Sequence, residues 1–165
     1  FQSAWSAIMH TKLGLDAGAP GGDPSSSDSS IGDDVISDLL ALMGEQRVDY
    51  TMCLRALSSV VRGDAGPARS LFAEPEAFVA WTARWLALVG EDRSAIADRM
   101  DRVNPIYIPR NHIVEEVLTS ASWGDHDALT ELLDVVTHPF EQRRGLERYA
   151  EPAPDAGSYR TFCGT

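Results

Sequence analysis

Four histidines, two cysteines and a single lysine are the side chains here best able to do chemistry near neutral pH. A metal site on one helix needs ligands four residues apart, or ligands joined by a short loop. His10, His112, His126 and His138 stand apart in different segments. His112 precedes Glu115 and Glu116 in the manner of a zinc-protease helix, but the second histidine is missing. The histidines therefore read as solvated or capping groups, with no metal expected. Lys12 lies in a helical pattern, not on a strand beside a nucleotide loop, so it lacks the companions of a phosphate-pairing lysine. Gly18 to Gly22 is glycine-rich but lacks the Gly-Lys-Ser/Thr ending of a phosphate loop and reads as a linker. No nucleophile-elbow sequence supports a Ser/His/Asp arrangement. Asp33-Asp34 and Glu115-Glu116 read as helix-dipole partners and solvated faces.

The cysteines divide. Cys53 sits among apolar residues at helical spacing, which predicts a buried, inert thiol. Cys163, third from the end between Phe162 and Gly164, is in sequence that buries a thiol poorly. It is either an incidental tail thiol or a redox group. Arg110 falls near a helix start, where the macrodipole disfavours a cation by about 0.5 kcal/mol. That conflict makes Asn104, Pro105, Tyr107, Arg110 and Asn111 the candidate docking turn, with a plain tight turn as the other reading.

The elements that would position these groups are helical. Trp5, Ile8, Met9 and Leu13 recur at steps of three and four, and Gly14 is a stop. Residues 16–31 are rich in Gly, Pro, Ser and Asp and read as a long solvated loop. A second helix is expected from Asp33 or Asp34 to Gly44, and a third from an Asp49 cap to Gly63. Pro75 opens a fourth, which ends at Gly90. Residues 91–103 form another, broken by Asn104-Pro105. Two more are expected over 110–122 and from an Asp125 cap to Pro139. The expected fold is mostly α: a helical domain over 1–140 with about seven helices and the 16–31 loop, then an extended tail over 141–165.

Composition narrows function by exclusion. Fourteen Lys and Arg against 25 Asp and Glu give a formal charge of −11 over 165 residues. Nucleic-acid binding runs on phosphate neutralisation, and anionic membranes attract basic segments, so neither partner is expected. No apolar run approaches the ~20 residues of a membrane helix. Two cysteines cannot build a disulfide-dense scaffold. The first residue, Phe1, is neither a start methionine nor preceded by a cap, so the chain is expected to begin inside a longer protein.

The stretch from Arg99 through Asn104-Pro-Ile-Tyr-Ile-Pro-Arg-Asn to His112 resembles a signature near the C-terminus of the selenoprotein O family, the YdiU-type pseudokinases or protein adenylyltransferases. Lys12-Leu-Gly-Leu15, Leu39 to Met43, Asp49-Tyr-Thr51 with the helix through Arg55, Gly124-Asp125, Leu132-Leu133, Pro139-Phe140, Tyr149-Ala150 and Tyr159 to Thr165 follow in the same order. The resemblance implies a kinase-like α+β parent that binds ATP and Mg and transfers AMP to Ser, Thr or Tyr hydroxyls of proteins. It places the nucleotide, metal and catalytic residues in N-terminal regions, and no position here matches them. This chain would be the C-terminal helical part, with no cofactor of its own and inactive alone, partnered by the missing kinase-like lobe in a cytoplasmic enzyme. Animal members carry selenocysteine third from the end, where Cys163 stands, so the resemblance implies a redox switch with an activation-loop cysteine. Position 160 is Arg160, a departure from the paired cysteines of some members. The competing reading is an independent all-α interaction module without catalytic activity.

Overall fold

Helix boundaries fall where local chemistry ends each run. In the computed structural model, which describes residues 2–15 and 27–154, α1 (Gln2–Lys12) stops at Gly14, whose φ of +68° a side chain would strain. Space also demands glycine there, because a Cβ would lie 2.6 Å from Ile96 Cγ2. α3 (Tyr50–Val61) starts under Asp49, whose carboxylate accepts from the Met52 N–H at 2.8 Å. α5 (Pro75–Leu88) has proline in its first turn, where no intrahelical N–H is needed. α6 (Arg93–Val103) is capped by Asp92 and ends at Asn104 before Pro105.

Two boundaries correct the sequence reading. α2 (Ser27–Gln46) begins six residues before Asp33, so residues 27–31 are helix and not loop; residues 16–26 lie outside the described part. The early turn is held from α1: Ser6 Oγ donates to Asp33, His10 Nε2 lies 3.1 Å from the same oxygen, and the His10 ring packs on Gly32. A Cβ at Gly32 would sit 2.6 Å from His10 Cε1. α2 also runs through Gly44. It ends at Arg47, which takes φ 55°, with Val48 N donating to Met43 O at 2.9 Å and Arg47 N to Gly44 O at 3.4 Å, the Schellman pattern.

The chain forms two units, divided between Asn104 and Pro105. In the first, α3 packs on α6, α2 on α5, and α1 on both α2 and α6; the short α4 (Gly66–Arg69) joins α3 to α5. Met9, Leu13, Ile36, Leu39, Leu54, Leu57 and Met100 are among its buried side chains. Phe72, Phe78, Trp81 and Trp85 stack in a row with centroid spacings of 4.4, 5.8 and 5.2 Å. Such pairs contribute about 0.5–1.5 kcal/mol each beyond burial. The two buried indoles are satisfied: Trp81 Nε1 donates to Val35 O at 2.9 Å and Trp85 Nε1 to Leu13 O at 3.0 Å.

In the second unit α7 (Asn111–Ser122) and α8 (Asp127–Thr137) pair across a short turn, and a one-turn α9 (Glu147–Ala150) follows. Its core is Tyr107, Ile113, Val117, Leu132, Val135 and Tyr149. Asp125 does not cap α8 directly. His126 takes that position, while Asp125 Oδ1 accepts from Asp127 N at 3.1 Å. Within the segment expected as an extended tail, α9 places Tyr149 in this core; residues 155–165, with Cys163, lie outside the described part. Among the described residues there are nine helices, seven of them of two turns or more, and no strand, so the mostly α expectation holds. No helix among them is long and apolar enough to cross a membrane.

Candidate functional site

A helix leaves its last four carbonyls without intrahelical donors, and its C-terminus favours cations. α6 meets both conditions with side chains from other helices. Lys12 Nζ, from the end of α1, donates to Val103 O at 2.9 Å and to Asn104 Oδ1 at 3.3 Å. Arg55, from α3, donates through one guanidinium nitrogen to Asp101 O at 2.7 Å and Asn104 O at 3.1 Å. Its Nε stands 3.4 Å from the Asp101 carboxylate. Two turns further along, at the C-cap of α3, Arg62 bridges Asp98 at 2.7 Å and Asp101 at 2.8 Å. Asn104 completes the cluster. Its amide donates to Lys12 O at 2.8 Å, and the residue is 1% exposed.

The electrostatics follow from that packing. Burial lowers the Lys12 ammonium, whose two acceptors here are neutral oxygens. Burial also lowers Arg55, with Asp101 opposing the effect. Arg62 moves up, chiefly through its bond to Asp98. The cluster joins the ends of α1, α3 and α6. Chemically it neutralises helix-end carbonyls, with Lys12 also reaching the Asn104 side chain and Arg55 the Asp101 carboxylate.

Of the expected docking residues, Asn104 belongs to this cluster in the first unit. In the second unit, Tyr107 is 2% exposed; its hydroxyl accepts from Arg143 N at 3.1 Å and donates to Arg143 O at 3.4 Å. Pro139 O accepts from Ile106 N at 2.7 Å and from Tyr107 N at 3.3 Å. Arg110 is the N-cap residue of α7 with extended backbone, and only 8% of it is exposed. Pro105 is half-buried and Asn111 exposed.

Cys53 is buried, and burial, with Asp49 nearby, pushes its thiol up to about 12. His138 Nδ1 lies 2.9 Å from Asp134 O, at the end of α8. Among the described residues, no three His, Cys, Asp or Glu side chains are placed to hold a metal ion.

Two features were not read from sequence. The Arg55/Arg62 and Asp98/Asp101 faces had a signal: spacings of seven and three put each pair on one side of its helix. Trp123, 86% exposed between α7 and α8, had none, because tryptophan is usually well buried.

The family model for "Protein adenylyltransferase SelO" matches residues 1–137. A curated "Protein nucleotidyltransferase YdiU" from Mycolicibacterium paratuberculosis is 49% identical over 170 aligned positions, covering 100% of this chain and 32% of that protein. Proteins of the same name from Pseudarthrobacter chlorophenolicus and Sphingopyxis alaskensis are 43% and 42% identical, again across 100% of this chain and over 32% and 33% of their own lengths. The chain thus spans about a third of the length of the curated relatives it matches.

Proposed function

This chain belongs to the protein adenylyltransferase SelO family, and we propose that it is the C-terminal helical portion of a longer enzyme of that family. In this reading the longer protein is cytoplasmic and transfers AMP from ATP, with Mg, to Ser, Thr or Tyr hydroxyls of protein substrates. The hydroxyl oxygen bonds to the α-phosphorus, pyrophosphate leaves, and the hydroxyl proton passes to a base in the kinase-like lobe. That lobe supplies the ATP and Mg ligands; the 165 residues here scaffold it. Asn111 is the exposed side chain through which the turn of Asn104, Pro105, Tyr107 and Arg110 would dock.

The observation that carries this reading is the family match over residues 1–137 in a chain that spans about a third of its relatives' length. The Lys12–Arg55–Asn104 cluster, where three of the sequence blocks behind the family resemblance meet, ties helix ends of this chain together. A nucleotide-transfer assay tests the assignment. The isolated chain with Mg-ATP and a protein acceptor should give no AMP adduct by mass spectrometry, and the same chain with its upstream lobe should give one. AMP transfer by the isolated chain overturns it.

Regulation through Cys163 belongs to the same proposal. Its thiol and a lobe cysteine would form a disulfide, passing two electrons and two protons to a disulfide oxidant. Activity of the longer protein should then respond to thiol reductant, and Cys163→Ser should remove the response. An unchanged response in that variant removes Cys163 from the switch.

A further inference from the structure

α1 buries one flank and leaves another bare. Met9 and Leu13 are 1% and 0% exposed, and on their flank Ser6 and His10 both reach Asp33 of α2. Ile8 stands four residues from Ala4 and three from Trp5, so these three are neighbours on a different side of the helix. Ala4 is exposed, Trp5 is 39% exposed and Ile8 57%. No Asp, Glu, Lys or Arg occurs from Ser3 to Met9, in a chain of which 24% is charged. Lys12, four residues past Ile8, directs its ammonium to Val103 O and Asn104 Oδ1.

A helix that is apolar on more than its inward side is ordinarily covered on both, and tryptophan is a favoured anchor where two surfaces meet. The chain spans about a third of its relatives' length, which leaves about two-thirds outside it. In the reading proposed above, that remainder precedes Phe1 and reaches this chain at the N-terminus of α1. Ala4, Trp5 and Ile8 lie within about 10 Å of that junction along the helix axis. A second copy of this chain is a poorer occupant, because each copy brings a formal charge of −11.

We propose that Ala4, Trp5 and Ile8 form the contact through which α1 docks on the upstream lobe of the longer protein, whose apolar side chains cover them. This contact rests on the reading above only in placing the rest of the protein before Phe1; it does not depend on AMP transfer.

The test places Ile8→Cys, and separately Ala4→Cys, in the 165-residue chain and in the longer protein. Each is treated with a maleimide, and modification at the substituted position is read by peptide mass spectrometry, so other thiols do not interfere. Labelling of the same protein in urea gives the reference rate. In the 165-residue chain both positions should label about as fast as in urea. In the longer protein both should label at least about tenfold more slowly, because the reagent reaches a covered side chain only through local opening. Circular dichroism on each variant confirms retained helix, as expected for exposed positions. Labelling at either position as fast in the longer protein as in the 165-residue chain overturns the proposal. Protection already present in the 165-residue chain overturns it too, and loss of that protection on dilution would assign the surface to a second copy. AMP transfer is measured separately. A longer protein that protects both positions without transferring AMP retains this contact and loses the activity proposed above; one that transfers AMP with both positions freely labelled loses the contact alone.

Discussion

Lys12 and Asn104 hold each other in both directions. The Asn104 amide donates to Lys12 O at 2.8 Å, and Lys12 Nζ donates to Asn104 Oδ1 at 3.3 Å, across 92 residues of sequence. Removing the carboxamide leaves a buried carbonyl without its donor and a half-buried ammonium without one acceptor. Asn104→Ala should therefore destabilise the first unit by about 1–3 kcal/mol, read as a lower urea midpoint by circular dichroism. Asn104→Asp keeps an acceptor for Lys12 but loses the donor, so it should fall between wild type and the alanine variant. An alanine variant as stable as wild type contradicts the lock.

Gly14 closes the α1 end of the same cluster. A side chain there meets two penalties at once: a φ of +68°, and a Cβ 2.6 Å from Ile96 Cγ2 and 3.0 Å from Met100 Sδ. Gly14→Ala should cost about 2–4 kcal/mol, the sum of left-handed strain and overpacking. Gly44→Ala is the control. That residue lies inside α2 with open space at its Cβ position, so alanine there should be neutral or mildly stabilising. Equal effects at the two sites would show that neither conformation nor space decides the cost at Gly14.

What sequence could and could not show divides along range. Asp49, Pro75, Gly14 and Asn104-Pro105 act within a few residues of themselves, so their boundaries were legible. The start of α2 was not, because contacts from Ser6 and His10 hold that turn. α4 and α9 are single turns without a helical period to read. The Lys12–Asn104 and Arg55–Asp101 contacts are invisible locally, since they join segments tens of residues apart. The family resemblance had marked these blocks without showing that they meet.

Cys53 gives a chemical test of burial. The thiolate is the reactive form, and desolvation, with Asp49 adding to it, holds this thiol near 12. In a Cys163→Ser background, an aromatic disulfide reagent at about pH 8 should leave the native chain unmodified and label one thiol after urea unfolding. Rapid native labelling would mean that α3 opens far more readily than its packing indicates. The outcome also isolates Cys163 as the thiol to follow in redox experiments on the longer protein.

Tyr149 sets a high-pH limit on the second unit. Burial first, and then its hydrogen bond to Glu131, push the phenol up to about 12, against an ordinary value of about 10. An unfolded tyrosine releases its proton near 10 while the folded one retains it, so the stabilisation is fully present below that value. It declines as pH rises from about 10 towards 12. Tyr50 is raised by burial as well and adds to the same decline from the first unit. Tyr149→Phe has no phenol to titrate, and it leaves Glu131, on the exposed face of α8, free to meet water. The variant should be less stable than wild type at neutral pH, and the gap should narrow as pH passes 10. Urea midpoints for both proteins at several pH values between neutral and about 12 provide the measurement. A gap independent of pH would place the phenol's contribution in packing alone and remove the Glu131 bond from the account.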